Sequence, residues 1–250
     1  MATRLLDRQR RLLAYLTSGK AIFADQKQKP ADRSLQGIDP GLLHLEARFS
    51  HEKRMEKIAG VFARTLALLG NQRTEIEHAF ADKCPPTAIG RLENAHQFFD
   101  FLCGQWEQWP PDPEYLPDLA RCELGFAQAR SRDATSDNSD SDQPVHQVSR
   151  ARLGAVRRGP GVALLRCAYD IRILFETGSA EPAPARRDVA LAIATAPGAR
   201  EPAIFELKPA IFDLLAALDG WTDRRAFGAT RKARAMVADL VSRGLLEERL

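Results

Sequence analysis

The five histidines and four cysteines are the side chains of this sequence best suited to bind a metal or to move a proton. His44 and His51 stand seven residues apart and could share one helix face as metal ligands, but no third ligand follows at a recognisable spacing. A solvated helix face is therefore the favoured interpretation, and a metal site is its alternative. No two cysteines form a CxxC pair, so we expect them to be small buried hydrophobes. The other residues of these two types are His78, His96, His146, Cys84, Cys103, Cys122 and Cys167.

The patterns that mark well-known catalytic sites are missing from the sequence. It contains no glycine loop to cradle a phosphate, no GxGxxG, no GxSxG and no HExxH. The paired carboxylates Glu75 and Glu77 are of a kind common on exposed helices. We therefore expect no catalytic residue, no metal ligand and no cofactor in this chain, and no enzyme activity by the chain itself. An autonomous enzyme that carries a metal is an alternative function for this chain.

The composition is that of an ordinary globular protein with balanced charge. Of 250 residues, 44% are hydrophobic, and 36 Lys and Arg stand against 33 Asp and Glu, for a net charge of +3. This balance argues against a dedicated nucleic-acid binder and against a membrane-surface protein. Charged residues interrupt every apolar run near the N-terminus. Signal peptides and membrane spans need longer uninterrupted apolar runs, so the sequence predicts neither. We expect a cytoplasmic protein without a membrane partner.

A break in composition at residues 131–149 divides the chain into unlike parts. This stretch is polar and acidic, so it cannot bury enough surface to offset its ordering entropy. It predicts a flexible linker between a helical domain at 1–130 and a second domain at 150–250. The predicted helices of the first domain are 4–16, 42–69, one around Ile76 and Phe80, 88–106 and 116–130.

The second domain has strand patterns followed by helix patterns. The strand candidates are 161–175 with a bulge, 189–195 and 203–207, and the helix candidates are 209–220, 223–227 and 231–243. Three strands followed by three helices make a small winged-helix-like unit. The fold class is therefore α+β, with an all-α N-terminal domain.

Two segments resemble known families. LALLG, then CPPTAIGRLENAHQFFDFL, then PPDPEYLPDLARCELGFAQAR follow one another between residues 66 and 130. This order resembles the N-terminal domains, named for DNA binding, of small partner proteins encoded beside multinuclear-iron peptide-modifying oxidases. Cys122 stands where those domains usually carry Leu.

The second segment spans residues 204–246 and contains FELKPAIFDLLAALDGWTD and MVADLVSRGLLEE. It is similar to the peptide-binding chaperone of pyrroloquinoline quinone biosynthesis and to precursor-recognition elements of the same fold. Here the strand ends in Leu207-Lys208 instead of Leu-Asn. Together the two resemblances imply the partner of an iron oxidase, as in methanobactin-type or thiaglutamate-type pathways. The iron enzyme would perform the chemistry in a heterodimer, and this chain would capture the leader of the precursor peptide.

Strand addition is the binding mechanism that this resemblance implies. An exposed sheet edge offers unpaired N–H and C=O groups to an extended peptide. The last helix would form the other wall of the groove, with two cations and a thioether suited to an acidic and hydrophobic leader. Ordinary solvated residues of a surface helix are the alternative interpretation. The residues expected to bind the peptide are Ala203, Ile204, Phe205, Glu206, Leu207, Lys232, Met236 and Arg243.

A winged-helix transcription regulator is the alternative function. Arg231, Lys232 and Arg234 near the start of the last helix favour it. The nearly balanced net charge and the lack of an obvious dimerisation helix argue against it. The strongest basic cluster flanks the linker instead of lying on the last helix, and it consists of Arg150, Arg152, Arg157 and Arg158.

Overall fold

The chain divides into two compact units, residues 1–116 and 117–250. The computed structural model describes residues 2–23, 35, 37–136, 154–176 and 183–249, with side chains for all of these except 2–4 and 132–136. Among them, the first unit is helical, and every strand lies in the second. The fold is therefore α+β, as the sequence predicts.

The described residues of the first unit form six α-helices around an aromatic core. Phe98 contacts both Phe62 and Phe80, with ring centroids 5.7 and 5.0 Å apart, and Phe101 lies 5.4 Å from Phe80. These side chains are all buried. The helices are α1 (Ala2–Leu16), α2 (Gly19–Phe23), α3 (Pro40–Ala59), α4 (Ala63–Leu69), α5 (Arg73–Lys83) and α6 (Arg91–Gln108).

Two predictions for this unit are wrong in detail. The helix predicted at 42–69 is two helices, because the chain turns at Gly60, where Ile58 O accepts the N–H groups of both Val61 and Phe62. The spacing of the leucines of α1 predicts one apolar face, but three of them, Leu5, Leu6 and Leu13, are exposed to solvent. None of the described helices is both long and apolar enough to cross a membrane.

The second unit begins with a helix and continues with two antiparallel sheets. One sheet has the order β2-β3-β4, and the smaller one has the order β5-β1-β6. The elements are α7 (Leu116–Ser136), β1 (Ala155–Arg158), β2 (Ala163–Tyr169), α8 (Ile173–Glu176), β3 (Arg186–Ala194), β4 (Ala203–Leu207), α9 (Pro209–Ala217), β5 (Thr222–Asp223), α10 (Arg231–Ser242) and β6 (Leu246–Arg249).

Local sequence explains the helices that follow β4. Pro209 occupies the first turn of α9, where its missing N–H is harmless. Thr230 caps α10 by accepting the N–H of Ala233 at 3.1 Å. Gly244 ends α10 at φ +73°, and a β-carbon there would stand 2.1 Å from the carbonyl oxygen of Thr195. Only glycine fits both the left-handed backbone and this close approach.

The linker and the first strand differ from their predictions. Residues 131–136 continue α7, and the rest of the predicted linker, 137–149, lies outside the described residues. The strand predicted at 161–175 ends at Tyr169 after a bulge, and α8 replaces its last residues. The smaller sheet was not predicted, because its strands have only two to four residues.

The predicted domain boundary also differs from the division of the structure. The helix at 116–130 was placed with the N-terminal domain, whereas α7 packs with the second unit. It covers one face of the larger sheet, and α9 and α10 cover the other. Gly125 allows this approach, since a β-carbon there would stand 2.9 Å from Ile193 Cδ1 and 3.2 Å from Ala163 Cβ. The opposite face contributes Ala192, Ala194 and Leu207 to a core with residues of α9 and α10.

Candidate peptide-binding surface

β4 forms one edge of the larger sheet. It pairs in antiparallel register with β3, from Ala194 opposite Ala203 to Ala190 opposite Leu207, and no other described strand pairs with it. β2 forms the opposite edge. An edge strand presents backbone groups that a further strand can pair with. The sheet therefore has two places where a peptide strand could add.

The β2 edge is occupied by side chains of α7. Asp118 Oδ2 accepts the N–H groups of Ala168 and Tyr169 at 2.8 and 3.0 Å, and Arg121 Nη1 donates to the carbonyl oxygen of Arg166 at 3.0 Å. Burial raises the pKa of Asp118, and the two N–H groups and Arg121 oppose this shift. Because these groups at the Arg166–Tyr169 end of β2 already have partners, an incoming strand could not pair with that part of the edge. Among the described residues, β4 is the edge of this sheet without such a cover.

Three of the predicted site residues meet between β4 and α10. Phe205 and Met236 are half-buried against the same core. The guanidinium of Arg243 lies 5.5 Å from the ring centroid of Phe205, and its Nε donates to Asp239 Oδ1 at 3.1 Å. This arrangement offers an apolar floor with a cation at its margin, suited to an apolar side chain beside an acidic one.

One member of the α10 set departs from the predicted outward face. Lys232, Met236 and Arg243 were expected to share that face, but the core-facing surface of α10 is wide enough to include Met236 beside Val237 and Val241. Lys232 and Arg243 are exposed, as expected. No described contact joins Lys232 to Phe205 or Arg243.

The other face of β4 carries Ile204 and Glu206. Glu206 belongs to a network of four charges, in which Arg187 Nη1 contacts Glu206 Oε1 at 2.8 Å and Arg172 Nη2 contacts Glu206 Oε2 at 2.7 Å. The same two arginines hold Asp170 at 2.5 and 2.7 Å. Hydrogen bonds from Arg172 and Arg187 hold the pKa of Asp170 far below its ordinary value, and the Arg187 guanidinium lowers that of Glu206.

The network and the cover on β2 were missed by sequence reasoning. Asp118 and Arg121 stand three apart, and that spacing predicts their ion pair, which is present at 3.6 Å. Their bonds to β2 join residues about fifty positions apart, and no local pattern indicates such partners. Arg172 and Arg187 were likewise unremarkable in sequence, because Arg172 is one of several polar residues within the strand candidate at 161–175 and Arg187 precedes the one at 189–195.

The histidines have unlike surroundings. His44 is buried, with its Nδ1 3.0 Å from the carbonyl oxygen of Ala21. His51 meets the ring of Phe23 edge-on at 5.5 Å, and burial lowers its pKa. The described residues include no group of three His, Cys, Asp or Glu side chains that could hold a metal. His146 lies outside them.

The cysteines are free thiols where the structure describes them. Cys122 and Cys167 are buried, and Cys84 and Cys103 are partly exposed. Burial raises the pKa of Cys167 to about 12 and raises that of Cys122 further. At neutral pH these two thiols are protonated and therefore weak nucleophiles.

The basic cluster beside the linker is engaged within the second unit. Arg157 lies on β1, contacts Glu247 Oε2 at 2.6 Å and stacks 4.6 Å from the ring centroid of Trp221. Arg158 donates to the carbonyl oxygen of Leu215 at 3.1 Å. Arg150 and Arg152 lie outside the described residues.

No protein-family model matches the chain, and a search of curated proteins finds none significantly similar to it. The likeness to partner proteins of iron oxidases therefore depends on the quoted segments alone. The geometry of β4 and α10 is an observation that does not depend on this likeness.

Proposed function

We propose that this protein is the non-catalytic partner subunit of an iron-dependent enzyme that modifies ribosomally synthesised peptides. It binds the leader of the precursor peptide as an added strand on β4 and presents the peptide to the enzyme. The observation that carries the proposal is the unequal state of the two sheet edges. Asp118 and Arg121 occupy the backbone of β2, whereas β4 has no such cover among the described residues.

The side chains around β4 fit a leader of stated chemistry. Side chains of an added strand alternate between the two faces of the sheet. Those on the α10 side meet Phe205, Met236 and Arg243, which suit apolar residues flanked by a carboxylate. Those on the other side meet Ile204 and the Glu206 network. Main-chain hydrogen bonds supply affinity, and these contacts supply selectivity.

The division of labour follows from the same proposal. This chain supplies peptide recognition and no cofactor, and the iron belongs to the enzyme with which it forms a heterodimer in the cytoplasm. A gene for such an enzyme and a short peptide gene are expected beside the gene for this chain.

A DNA-binding regulator is the second candidate. Arg231 and Lys232 are exposed at the start of α10, which follows α9 and a short 3₁₀ turn at Arg224–Phe227. That placement favours contacts with phosphates. The cluster around β1 adds little to it, because Arg157 and Arg158 are already bonded within the unit.

The test is a titration of the chain, co-purified with the neighbouring enzyme, with a fluorescent synthetic leader from the neighbouring peptide gene. Two further leaders carry backbone N-methyl groups at alternate residues, in opposite phases. Only every second N–H of an added strand points at β4, so one phase should abolish binding and the other should retain it. The Arg243→Glu variant should weaken binding of an acidic leader roughly tenfold. Arg225→Glu, at an exposed position away from β4, is the matched control.

Two results would reject the proposal. Equal binding of both methylated leaders would exclude strand addition. Absence of leader binding, together with salt-sensitive binding of duplex DNA, would support the regulator instead.

A further inference from the structure

The loop at residues 84–90 carries the most exposed large hydrophobic side chain among the described residues. Its sequence is CPPTAIG, and it joins α5 to α6. Ile89 is 89% exposed, against 64% for Leu42 and Trp109, the next in order. Pro85 and Pro86 are exposed in the same loop. The loop therefore offers a small apolar surface whose two prolines restrict the backbone.

Side chains of α3 and α6 hold this loop in place through its carbonyl oxygens. Arg54 Nη1 donates to Cys84 O at 2.8 Å, and Gln97 Nε2 donates to Pro85 O at 2.9 Å. Asn94 Nδ2 donates to the carbonyl oxygens of Ala88 and Gly90 at 3.2 and 2.6 Å. Lys57 Nζ donates to Ile89 O at 2.7 Å. Side chains thus satisfy the carbonyls that the prolines and the turn leave without helical partners.

The centre of this arrangement is a buried guanidinium. Arg54 is 8% exposed, and its other bonds are to Asn94 Oδ1 at 2.9 Å and Gln97 Oε1 at 2.6 Å. It lies 4.2 Å from the ring centroid of Phe80. All three acceptors are uncharged, and burial lowers the pKa of Arg54 to about 10. Burial of a cation without a carboxylate partner adds little to the free energy of unfolding. The effect of Arg54 is therefore to fix the shape of the loop.

The surroundings of Ile89 carry more basic than acidic side chains. Lys57 touches the Ile89 carbonyl, Arg91 follows two residues later and bonds the carbonyl of Gly60, and Lys83 precedes the loop. The carboxylates near the loop are Glu93, close to Gly90, and Asp82, which precedes Lys83. Among the described residues, neither Lys57 nor Arg91 forms an ion pair. An apolar tip with a basic border complements an apolar pocket with an acidic border.

We infer that the 84–90 loop is the docking surface for a partner protein, with Ile89 as an anchor that enters an apolar pocket bordered by carboxylates. The inference rests on the proposed function, in which this partner is the iron-dependent enzyme. The loop is already rigid before binding, so little conformational entropy is lost when the complex forms. A second copy of this chain is a poor occupant, because two basic borders would repel each other. A membrane is also a poor occupant, since one isoleucine and two prolines bury little apolar area.

The test measures the affinity of the full chain for the enzyme encoded beside it, by biolayer interferometry. Ile89→Ser should raise the Kd roughly 30-fold or more, which is the size expected for a central anchor. Leu42→Ser is the matched control, because Leu42 is also a highly exposed aliphatic side chain, and its Kd should equal that of the wild type. Both variants should keep the wild-type Tm, because neither side chain packs in a core. Both should also bind the leader peptide as the wild type does.

The outcomes separate this inference from the proposed function. If the wild type binds the enzyme and Ile89→Ser binds equally well, the docking loop is wrong and the partner function stands. If the wild type does not bind the enzyme, both are wrong. If Ile89→Ser instead abolishes self-association in sedimentation, or binding to anionic lipid vesicles, the occupant is a second copy or a membrane and the inference is overturned.

Discussion

Asp118 and Arg121 each have partners both within α7 and on the backbone of β2. The spacing of Asp118 and Arg121 predicts an ion pair within one helix, and that pair is present. The same two side chains also bond the backbone of β2, and this second role depends on a fold that spacing cannot supply. His44 is a similar case, because its carbonyl partner is 23 residues away. The peptide-binding roles of the eight residues predicted on β4 and α10 all stay predictions.

The four-charge network gives a prediction about pH. Arg172 and Arg187 hold the pKa values of Asp170 and Glu206 below their ordinary values near about 4. A lowered carboxyl pKa adds stability that is fully present above the ordinary pKa and is lost as pH falls from there towards the lowered pKa of the folded state. The Tm of the wild type should therefore fall as pH drops from about pH 5 to about pH 2, and Arg187→Gln should reduce that fall.

The comparison is made by differential scanning calorimetry across this range. Arg48→Gln is the control, because it removes an exposed pair with Glu52 on α3 and should leave the wild-type pH dependence intact. An unchanged pH dependence in Arg187→Gln would show that the network does not set the acid stability.

At the scale of elements, patterns with clear stop signals were predicted well, and strands of two to four residues were missed. The bounds of β4 agree with the prediction, and α10 differs by one residue, because each has a clear stop: Pro202 before the strand, and Thr230 and Gly244 around the helix. β1, β5 and β6 were missed, since two to four residues carry no periodicity. β4 was predicted to be an exposed edge strand. The side chains of α7 that cover β2 were not predicted.

The packing of α7 on the larger sheet gives a prediction about Gly125. Ile193 and Ala163 stand within 3.2 Å of where its β-carbon would lie, so a branched side chain there must push the helix away. Gly125→Val should lower the free energy of unfolding by about 1–3 kcal/mol, measured by urea denaturation. Gly104→Val on α6 is the control, because no atom lies within 4 Å of its β-carbon position, and it should change little. Equal effects at the two sites would contradict this packing.

At the scale of the molecule, the boundary between the units lies before α7, whereas composition alone places it after residue 130. The acidic stretch at residues 131–149 is a strong compositional signal. Composition reports the polarity of a segment, however, and does not report where the contacts within one unit end. The apolar face of β3 explains the difference, because Val189, Leu191 and Ile193 are buried in a unit that includes α7.

Fragments of the chain test this boundary. A fragment of residues 117–250 should unfold cooperatively, because it contains the whole second unit. A fragment of residues 150–250 lacks α7 and should expose Val189, Leu191 and Ile193, so it should bind ANS or aggregate. Cooperative unfolding of the shorter fragment with the same Tm would show that α7 is dispensable for the unit.

The unequal edges of the larger sheet also limit how this protein can polymerise. A sheet with two open edges can join others end to end without limit, which is the geometry of a fibre. Here Asp118 and Arg121 occupy the Arg166–Tyr169 end of the β2 edge, so we expect joining through β4 alone. Two copies paired through β4 would then use up both open edges and form a closed twofold dimer. Growth through this sheet therefore stops at two copies.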